Sequence, residues 1–376
     1  MSSITEYAAP GVRRLAPYVP GKPLETLQRE YGISDAIKLA SNENPLGASP
    51  AAVQATEAAM DSIAVYPDGA GFALRARLAV DLERPADAIT LGNGSSDLLD
   101  FAVRVFVTPG DEVVYSEHAF ALYPLLTRLA GGTGVAVPAR DFGHDLEAMA
   151  AAVTERTRVV FIANPNNPTG TWVGREALYA FIRGMPEHVL VVVDEAYFEY
   201  AGDPGLGADD YPDATRWLDT FPNLLVTRTF SKIHGLAGLR IGYGVSSPEV
   251  ADLLNRVRPP FNTSTPAQAA ALAALDDGEH IRRTLAVNRT GMAQLTAGLA
   301  ARGLDWIPSV ANFVTFDSKR DAAAVHEALL HQGVILRPMA EYGLPRHLRA
   351  TIGSEAENAR VLAALDEALA AVPEGT

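Results

Sequence analysis

The sequence of 376 residues contains no cysteine. A disulfide framework, a zinc–cysteine site and a thiol nucleophile are therefore excluded, and the absence fits a reducing compartment. Basic residues are outnumbered, 31 Lys and Arg against 45 Asp and Glu, for a formal net charge of −14. That balance argues against nucleic acid or an anionic membrane surface as the main partner. No stretch approaches the ~18 consecutive apolar residues of a membrane span. Residues 1–14 lack the apolar centre of a secretory signal. The expectation is a cytoplasmic protein without membrane or nucleic-acid partners.

Apolar residues make up 48% of the chain, enough for sizeable cores, and the length points to two domains. Pro10, Pro17, Pro20 and Pro23, with Gly11 and Gly21, break up residues 1–40 into an arm. Helical patterns then run over 51–62, 71–82 and 96–107. The apolar runs 89–91, 112–115, 158–163, 188–193 and 224–227 read as buried strands, and 238–245 as a further one. Runs of this kind separated by helix-length segments predict an α/β fold, a three-layer, mostly parallel sheet with helices on both faces. Beyond 265 come helices over 266–275 and 278–302. Short strands follow at 312–316, 334–337 and 348–352, and a last helix at 355–371. This tail reads as a smaller α+β C-terminal domain. The expected division is an arm over 1–40, a large domain over 41–270 and a small domain over 271–376.

Open α/β sheets hold ligands beyond the carboxyl ends of their strands, and three motifs fall there. Asn164-Pro-Asn-Asn-Pro-Thr-Gly170 is a turn that holds the Asn167 amide between prolines. Asp194-Glu-Ala-Tyr197 follows Val191-Val-Val193, and a carboxylate at the end of a buried strand needs a partner. That partner is a helix N-terminus, an arginine or the protonated ring nitrogen of a ligand. Thr229-Phe-Ser-Lys232, followed by Gly235-Leu-Ala-Gly-Leu-Arg240, gathers hydroxyls, a glycine-rich backbone and an arginine suited to a phosphate dianion. Lys232 is then placed to form a Schiff base with an aldehyde. Gly92-Asn-Gly-Ser-Ser-Asp97 opens a helix, where backbone N–H groups can cradle an anion or where Ser and Asp simply cap. It is neither a dinucleotide fingerprint nor a P-loop.

The order and spacing of these motifs resemble the fold-type I, pyridoxal-phosphate-dependent enzymes of the class I/II aminotransferase superfamily. Within it the chain most resembles histidinol-phosphate aminotransferases. The resemblance rests on the stretches 18–23, 39–47, 66–68, 92–95, 164–170, 194–197, 229–232, 235–243, 311–314 and 337–338, which span nearly the whole chain. It implies pyridoxal 5'-phosphate as cofactor, no catalytic metal, and transfer of an amino group from a small-molecule donor to a 2-oxo acid such as 2-oxoglutarate. The implied donor is histidinol phosphate, with imidazole acetol phosphate as product, a step of histidine biosynthesis. Lys232 is implied as the Schiff-base lysine and proton carrier, and Asp194 as partner of the pyridine nitrogen. Asn167 and Tyr197 are implied at the ring 3-oxygen and Phe120 against the ring face. Ser95, Ser96, Thr229, Ser231 and Arg240 are implied at the cofactor phosphate, joined by Tyr66 from the neighbouring subunit of a homodimer. Arg349 is implied at the substrate carboxylate and Arg337 at its distal phosphate, with Tyr18, Tyr123 and Asn44 in the same pocket.

The sequence departs from the family pattern in two places. Ser96 stands where Asp is frequent, and His234 stands where Phe or Tyr is usual after the lysine. The preferred reading of His234 is a packed, hydrogen-bonded core side chain. Three other functions share the cofactor residues or the fold: an aromatic amino-acid aminotransferase, a phosphothreonine decarboxylase, and a binding protein without turnover. The last is disfavoured because Lys232, Asp194, Asn167, Tyr197 and Arg349 are all present.

Overall fold

A computed structural model of the chain describes residues 4–13, 15 and 24–374. Its centre is a seven-stranded sheet with the order Ile89–Gly92, Gly242–Ser246, Leu224–Thr229, Leu190–Asp194, Thr157–Ala163, Glu112–Ser116, Thr133–Val137. Neighbours pair in parallel except at Gly242–Ser246, which runs antiparallel to both of its neighbours. The fold is thus the α/β, mostly parallel sheet that the apolar runs imply.

Strand periodicity divides the core into two. Val160, Ile162, Val191, Val193 and Val226 point to one face and pack against Leu74, Leu78, Leu178 and the alanines of helix Thr265–Asp276. Phe161, Ala163, Leu190, Val192 and Leu225 point to the other, against Leu98, Phe101, Tyr123 and Leu254. Both faces are covered, which is why these strands are almost continuously apolar rather than alternating. Asp194 follows Val192 in the same parity and so projects on the second face, at the carboxyl edge.

Residues beyond 300 build a separate four-stranded antiparallel sheet: Arg337–Pro338, His347–Thr351, Phe313–Asp317, Trp306–Ile307. Helices Gly278–Ala301, Ala322–His331 and Glu355–Ala371 contribute to a core of their own with Leu295, Val314, Leu329, Leu348 and Leu365. Ile37–Lys38 pairs in parallel with Val334–Ile335, which ties the chain preceding residue 40 to this second layer. Helix Glu355–Ala371 starts on a capping box in which the Ser354 hydroxyl accepts from the Glu357 N–H and the Glu357 carboxylate accepts from the Ser354 N–H.

Some elements depart from the reading of the sequence. Residues 238–241 are not strand: Ala237–Leu239 is a 3-10 turn, Arg240 is left-handed with φ of 56°, and the strand starts only at Gly242. The glycine-rich backbone favours that tight reversal over extension. The 334–337 run splits between two sheets. Within the arm, Leu24–Tyr31 forms a helix just past Pro23, where four prolines and two glycines imply no regular element.

Candidate active site

A cavity of about 260 Å³ opens at the carboxyl edge of the central strands. Ser95, Ser96, Phe120, Tyr123, Asn167, Asp194, Tyr197, Thr229, Ser231, Lys232 and Arg240 line it, together with Ser41, Glu43 and Ala196. Residues from six segments far apart in sequence therefore converge on one volume.

Its floor follows from strand register. Asp194 lies opposite Ala163 on one neighbouring strand and Thr227 on the other. The Thr227 hydroxyl donates to Asp194 Oδ1 at 3.0 Å, and the Tyr123 hydroxyl donates to Oδ2 at 2.9 Å. Tyr123 is itself fixed by stacking on Phe161, with ring centroids 4.3 Å apart. Burial pushes the Asp194 carboxyl above the usual carboxylate range, while the bonds from Tyr123 and Thr227 and the charge of Lys232 oppose that shift. The carboxylate is held in one orientation and still lacks a full counter-charge, which suits a cationic nitrogen arriving from the cavity.

Lys232 faces that carboxylate from the loop after strand Leu224–Thr229. Its Nζ donates to the Ser41 carbonyl at 3.2 Å and sits 5.6 Å from the centre of the Tyr197 ring. Burial, reinforced by Arg349 and Arg240 and opposed by Glu43 and Asp194, lowers its pKa to about 8. An amine tuned to that range is partly neutral at physiological pH, the form that attacks a carbonyl.

Across the cavity lies an anion cradle. Helix Ser95–Phe106 points its N-terminus inward, where its first N–H groups have no helical partner. The approach depends on glycine. Gly94 has φ of 79°, and a β-carbon there would lie 2.3 Å from Arg240 Nη2. One on Gly242 would lie 2.4 Å from the Ser95 nitrogen. The Thr229 hydroxyl donates to Ser231 Oγ at 3.0 Å, and Arg240 Nη1 donates to the same oxygen at 3.3 Å. Two hydroxyls, a guanidinium and a helix N-terminus thus converge on a site that takes a phosphate-sized anion.

The antiparallel sheet meets the cavity's lining through Arg349, which touches Asn167, although neither Arg349 nor Arg337 lines the cavity itself. Arg337 and Arg349 are direct partners in the ladder, so their side chains leave the same face. Arg349 is buried; it donates to the Asn167 side-chain oxygen and, at 2.8 Å, to the Ala40 carbonyl. Arg337 pairs with Glu341.

Of the residues read as lining the pocket of their own subunit, Asn44, Arg337 and Arg349 are not among those that line this cavity. Asn44 does not reach the cavity wall: its amide donates to the Ile233 carbonyl at 2.8 Å and to the Thr284 hydroxyl at 3.2 Å, bracing the backbone beside Lys232. Tyr66 stands at the surface, 79% exposed. Tyr18 lies outside the described residues. His234 is buried and tilted against Phe230, and burial lowers its pKa to about 4. Its Nδ1 meets no hydrogen-bond partner among the described residues and its Nε2 lies 3.9 Å from Glu199 Oε1, so the packed part of the expectation holds.

The sequence reading missed Thr227 and Asn42. Asn42, left-handed at φ of 56°, donates from its amide to the Tyr197 hydroxyl at 2.7 Å. The signals available were a hydroxyl closing the apolar run 224–227 and a second asparagine in Ser41-Asn-Glu-Asn44.

Comparison with known proteins sets this geometry in context. The family model for class I and II aminotransferases matches residues 34–365. Histidinol-phosphate aminotransferase 1 of Nitrosococcus oceani is 58% identical over 97% of both chains. Histidinol-phosphate aminotransferase 2 of Pseudomonas aeruginosa is 54% identical over 98% of this chain and 100% of its own. Among solved structures, histidinol-phosphate aminotransferase from Sinorhizobium meliloti in complex with pyridoxal-5'-phosphate superposes with a TM-score of 0.88 at 33% identity, covering 97% of this chain and 98% of the other.

Proposed function

The chain belongs to the class I and II aminotransferase family, and from that premise we propose that it transfers the amino group of histidinol phosphate to 2-oxoglutarate, giving imidazole acetol phosphate and glutamate, with pyridoxal 5'-phosphate as cofactor. The observation that carries the cofactor reading is the joint placement of Lys232, Asp194 and the glycine-dependent anion cradle around one cavity. The relatives' names support the donor.

Bound pyridoxal phosphate supplies an aldehyde that captures amines and a ring that accepts electrons from the substrate α-carbon. The residues of this chain do the remaining work. Ser95, Ser96, Thr229, Ser231 and Arg240 line the cavity and would hold the phosphate. Asp194 keeps a proton on the ring nitrogen, with Thr227 and Tyr123 aiming its oxygens. Phe120 would pack against the cofactor ring, and Asn167 and Tyr197 would bind its 3-oxygen; all three line the cavity. With the cofactor bound, Lys232 Nζ would hold and move the proton taken from the substrate α-carbon.

Arg349 and Arg337 divide the substrate anions by depth. Arg349, fixed on Asn167 at the cavity wall, takes the α-carboxylate of glutamate or 2-oxoglutarate. The phosphate ester of histidinol phosphate reaches one strand further, so it meets Arg349 and Arg337 together. Two cations on one face favour an anion locally despite the overall charge of −14, although Arg337 is ion-paired with Glu341 until one arrives.

The active unit in this reading is a homodimer. Met60, Ile63, Val65, Tyr66 and Phe72 are large, exposed and close in sequence, and the exposed Phe261 stacks on Tyr66, which suits an interaction surface. Tyr66 then reaches the cofactor phosphate of the neighbouring subunit. The functional division into an arm over 1–40, a large domain over 41–270 and a small domain over 271–376 belongs to the same proposal, with the large domain extended through Asp276 because Ala271 and Ala274 pack in the core of the central sheet.

Steady-state comparison of histidinol phosphate with phenylalanine, with 2-oxoglutarate as acceptor, tests the donor. Higher kcat/KM for histidinol phosphate is expected, and a large preference for phenylalanine would sink the assignment. Lys232→Ala is expected to abolish turnover and the visible absorbance of the bound cofactor while leaving the fold intact.

A further inference from the structure

We propose that Phe261 is a positioning residue that presents Tyr66 to the neighbouring subunit's cofactor phosphate, an inference that rests on the homodimer reading above. Tyr66 stands almost free on the surface, and no hydrogen bond holds its hydroxyl among the described residues. Among the described residues its ring makes a near-parallel stack on Phe261, with centroids 4.6 Å apart and planes 18° apart. An exposed tyrosine on a Pro-containing loop samples several rotamers, and a flat aromatic support on one face removes most of them.

Phe261 is an unusual support. It is 45% exposed, and its backbone is left-handed with φ of 57°, a conformation that a side chain with a β-carbon disfavours. The surrounding bonds impose it. The next residue, Asn262, donates from its amide to the Leu91 carbonyl at 3.2 Å and to Asp97 Oδ2 at 3.0 Å, and accepts from Arg258 Nη1 at 2.8 Å. The Tyr66 loop is tied to the same region. Gln268 donates to the Asp68 carbonyl at 3.0 Å and to the Thr263 carbonyl at 3.1 Å. Gly69 leaves room for the Phe261 ring, since a β-carbon there would come within 3.3 Å of it. Two loops nearly 200 residues apart in sequence are thereby clamped so that an aromatic pair projects outward.

The test measures dissociation of pyridoxal phosphate from the purified holoenzyme, followed by absorbance after dilution into a cofactor trap, with sedimentation velocity on each variant. Tyr66→Phe removes one hydrogen bond to the phosphate and is expected to speed dissociation roughly 10-fold. Phe261→Leu is expected to speed it several-fold, Phe261→Tyr to leave it unchanged because the ring is kept, and Tyr66→Phe with Phe261→Leu to be no faster than Tyr66→Phe alone. Wild-type dissociation in Phe261→Leu, additivity in the double variant, or loss of the dimer in Phe261→Leu would each overturn the positioning role. If Tyr66→Phe itself dissociates like wild type while dimeric, the reading of Tyr66 at the phosphate fails, and the inference with it.

Discussion

At the scale of single residues, the chemistry turns on how burial moves two protons in opposite senses. Burial drives the Lys232 amine down, to about 8, and the Asp194 carboxyl up, so each ion is destabilised until a partner of opposite charge occupies the cavity. For Lys232 the sign is direct. Only the neutral amine attacks an aldehyde, and its fraction falls about 10-fold for each pH unit below the pKa. The rate at which cofactor-free protein captures pyridoxal phosphate should therefore rise with pH and level off above about 8, measured by stopped-flow absorbance. Arg349 is the largest charge lowering that pKa, so Arg349→Gln should move the midpoint upward. A midpoint unmoved, or moved down, would show that the guanidinium does not act on the amine. In the proposed reading Asp194→Asn removes the carboxylate that would keep the ring nitrogen protonated, and kcat should fall by roughly 100-fold or more with the fold preserved, as judged by circular dichroism.

Individual elements matter through their ends. The cradle works because helix Ser95–Phe106 begins where Gly94 and Gly242 let backbone, Arg240 and anion approach one another. Gly94→Ala places a methyl against Arg240 Nη2 on a residue with φ of 79°. It should weaken pyridoxal phosphate affinity by at least about 10-fold, given the cost of left-handed backbone and of displacing a guanidinium from its anion. Equilibrium titration of cofactor-free protein measures this, and unchanged affinity would remove the cradle from the phosphate site. The strands and helices that carry these ends were legible because the apolar runs 158–163 and 224–227 and the capped helix 355–371 state their type locally. The reversal at 237–240 was not, because Gly-Leu-Ala-Gly-Leu-Arg is equally compatible with an extended run until the cradle forces Arg240 inward. Asn44 was misplaced for a related reason. An amide in a polar stretch gives no sign of whether it faces a ligand or a carbonyl such as that of Ile233, which only the folded chain brings near. Thr227 escaped notice because its role exists only in the register with Asp194.

On the scale of the whole molecule, each cavity is built mainly by one subunit and completed by its neighbour if Tyr66 crosses the interface. That arrangement makes a prediction no single-chain enzyme satisfies. A Lys232→Ala subunit lacks the amine but keeps a normal Tyr66; a Tyr66→Phe subunit keeps Lys232 but offers its neighbour no hydroxyl. Pairing one of each gives a hybrid in which the cavity of the Tyr66→Phe subunit has both its own Lys232 and the partner's intact tyrosine. Equal mixing with free exchange makes half the dimers hybrid, with one intact site in two, so about a quarter of wild-type sites should return. At cofactor concentrations that strip Tyr66→Phe alone, the mixture should regain activity and retained pyridoxal phosphate near that fraction, while neither parent does. Recovery should require subunit exchange, and so should be slow on mixing and faster after brief partial denaturation. If the mixture shows only the average of its parents once exchange has been demonstrated by mass-tagged subunits, each active site is self-contained, and the exposed apolar group from Met60 to Phe72 serves some purpose other than completing a neighbour's site.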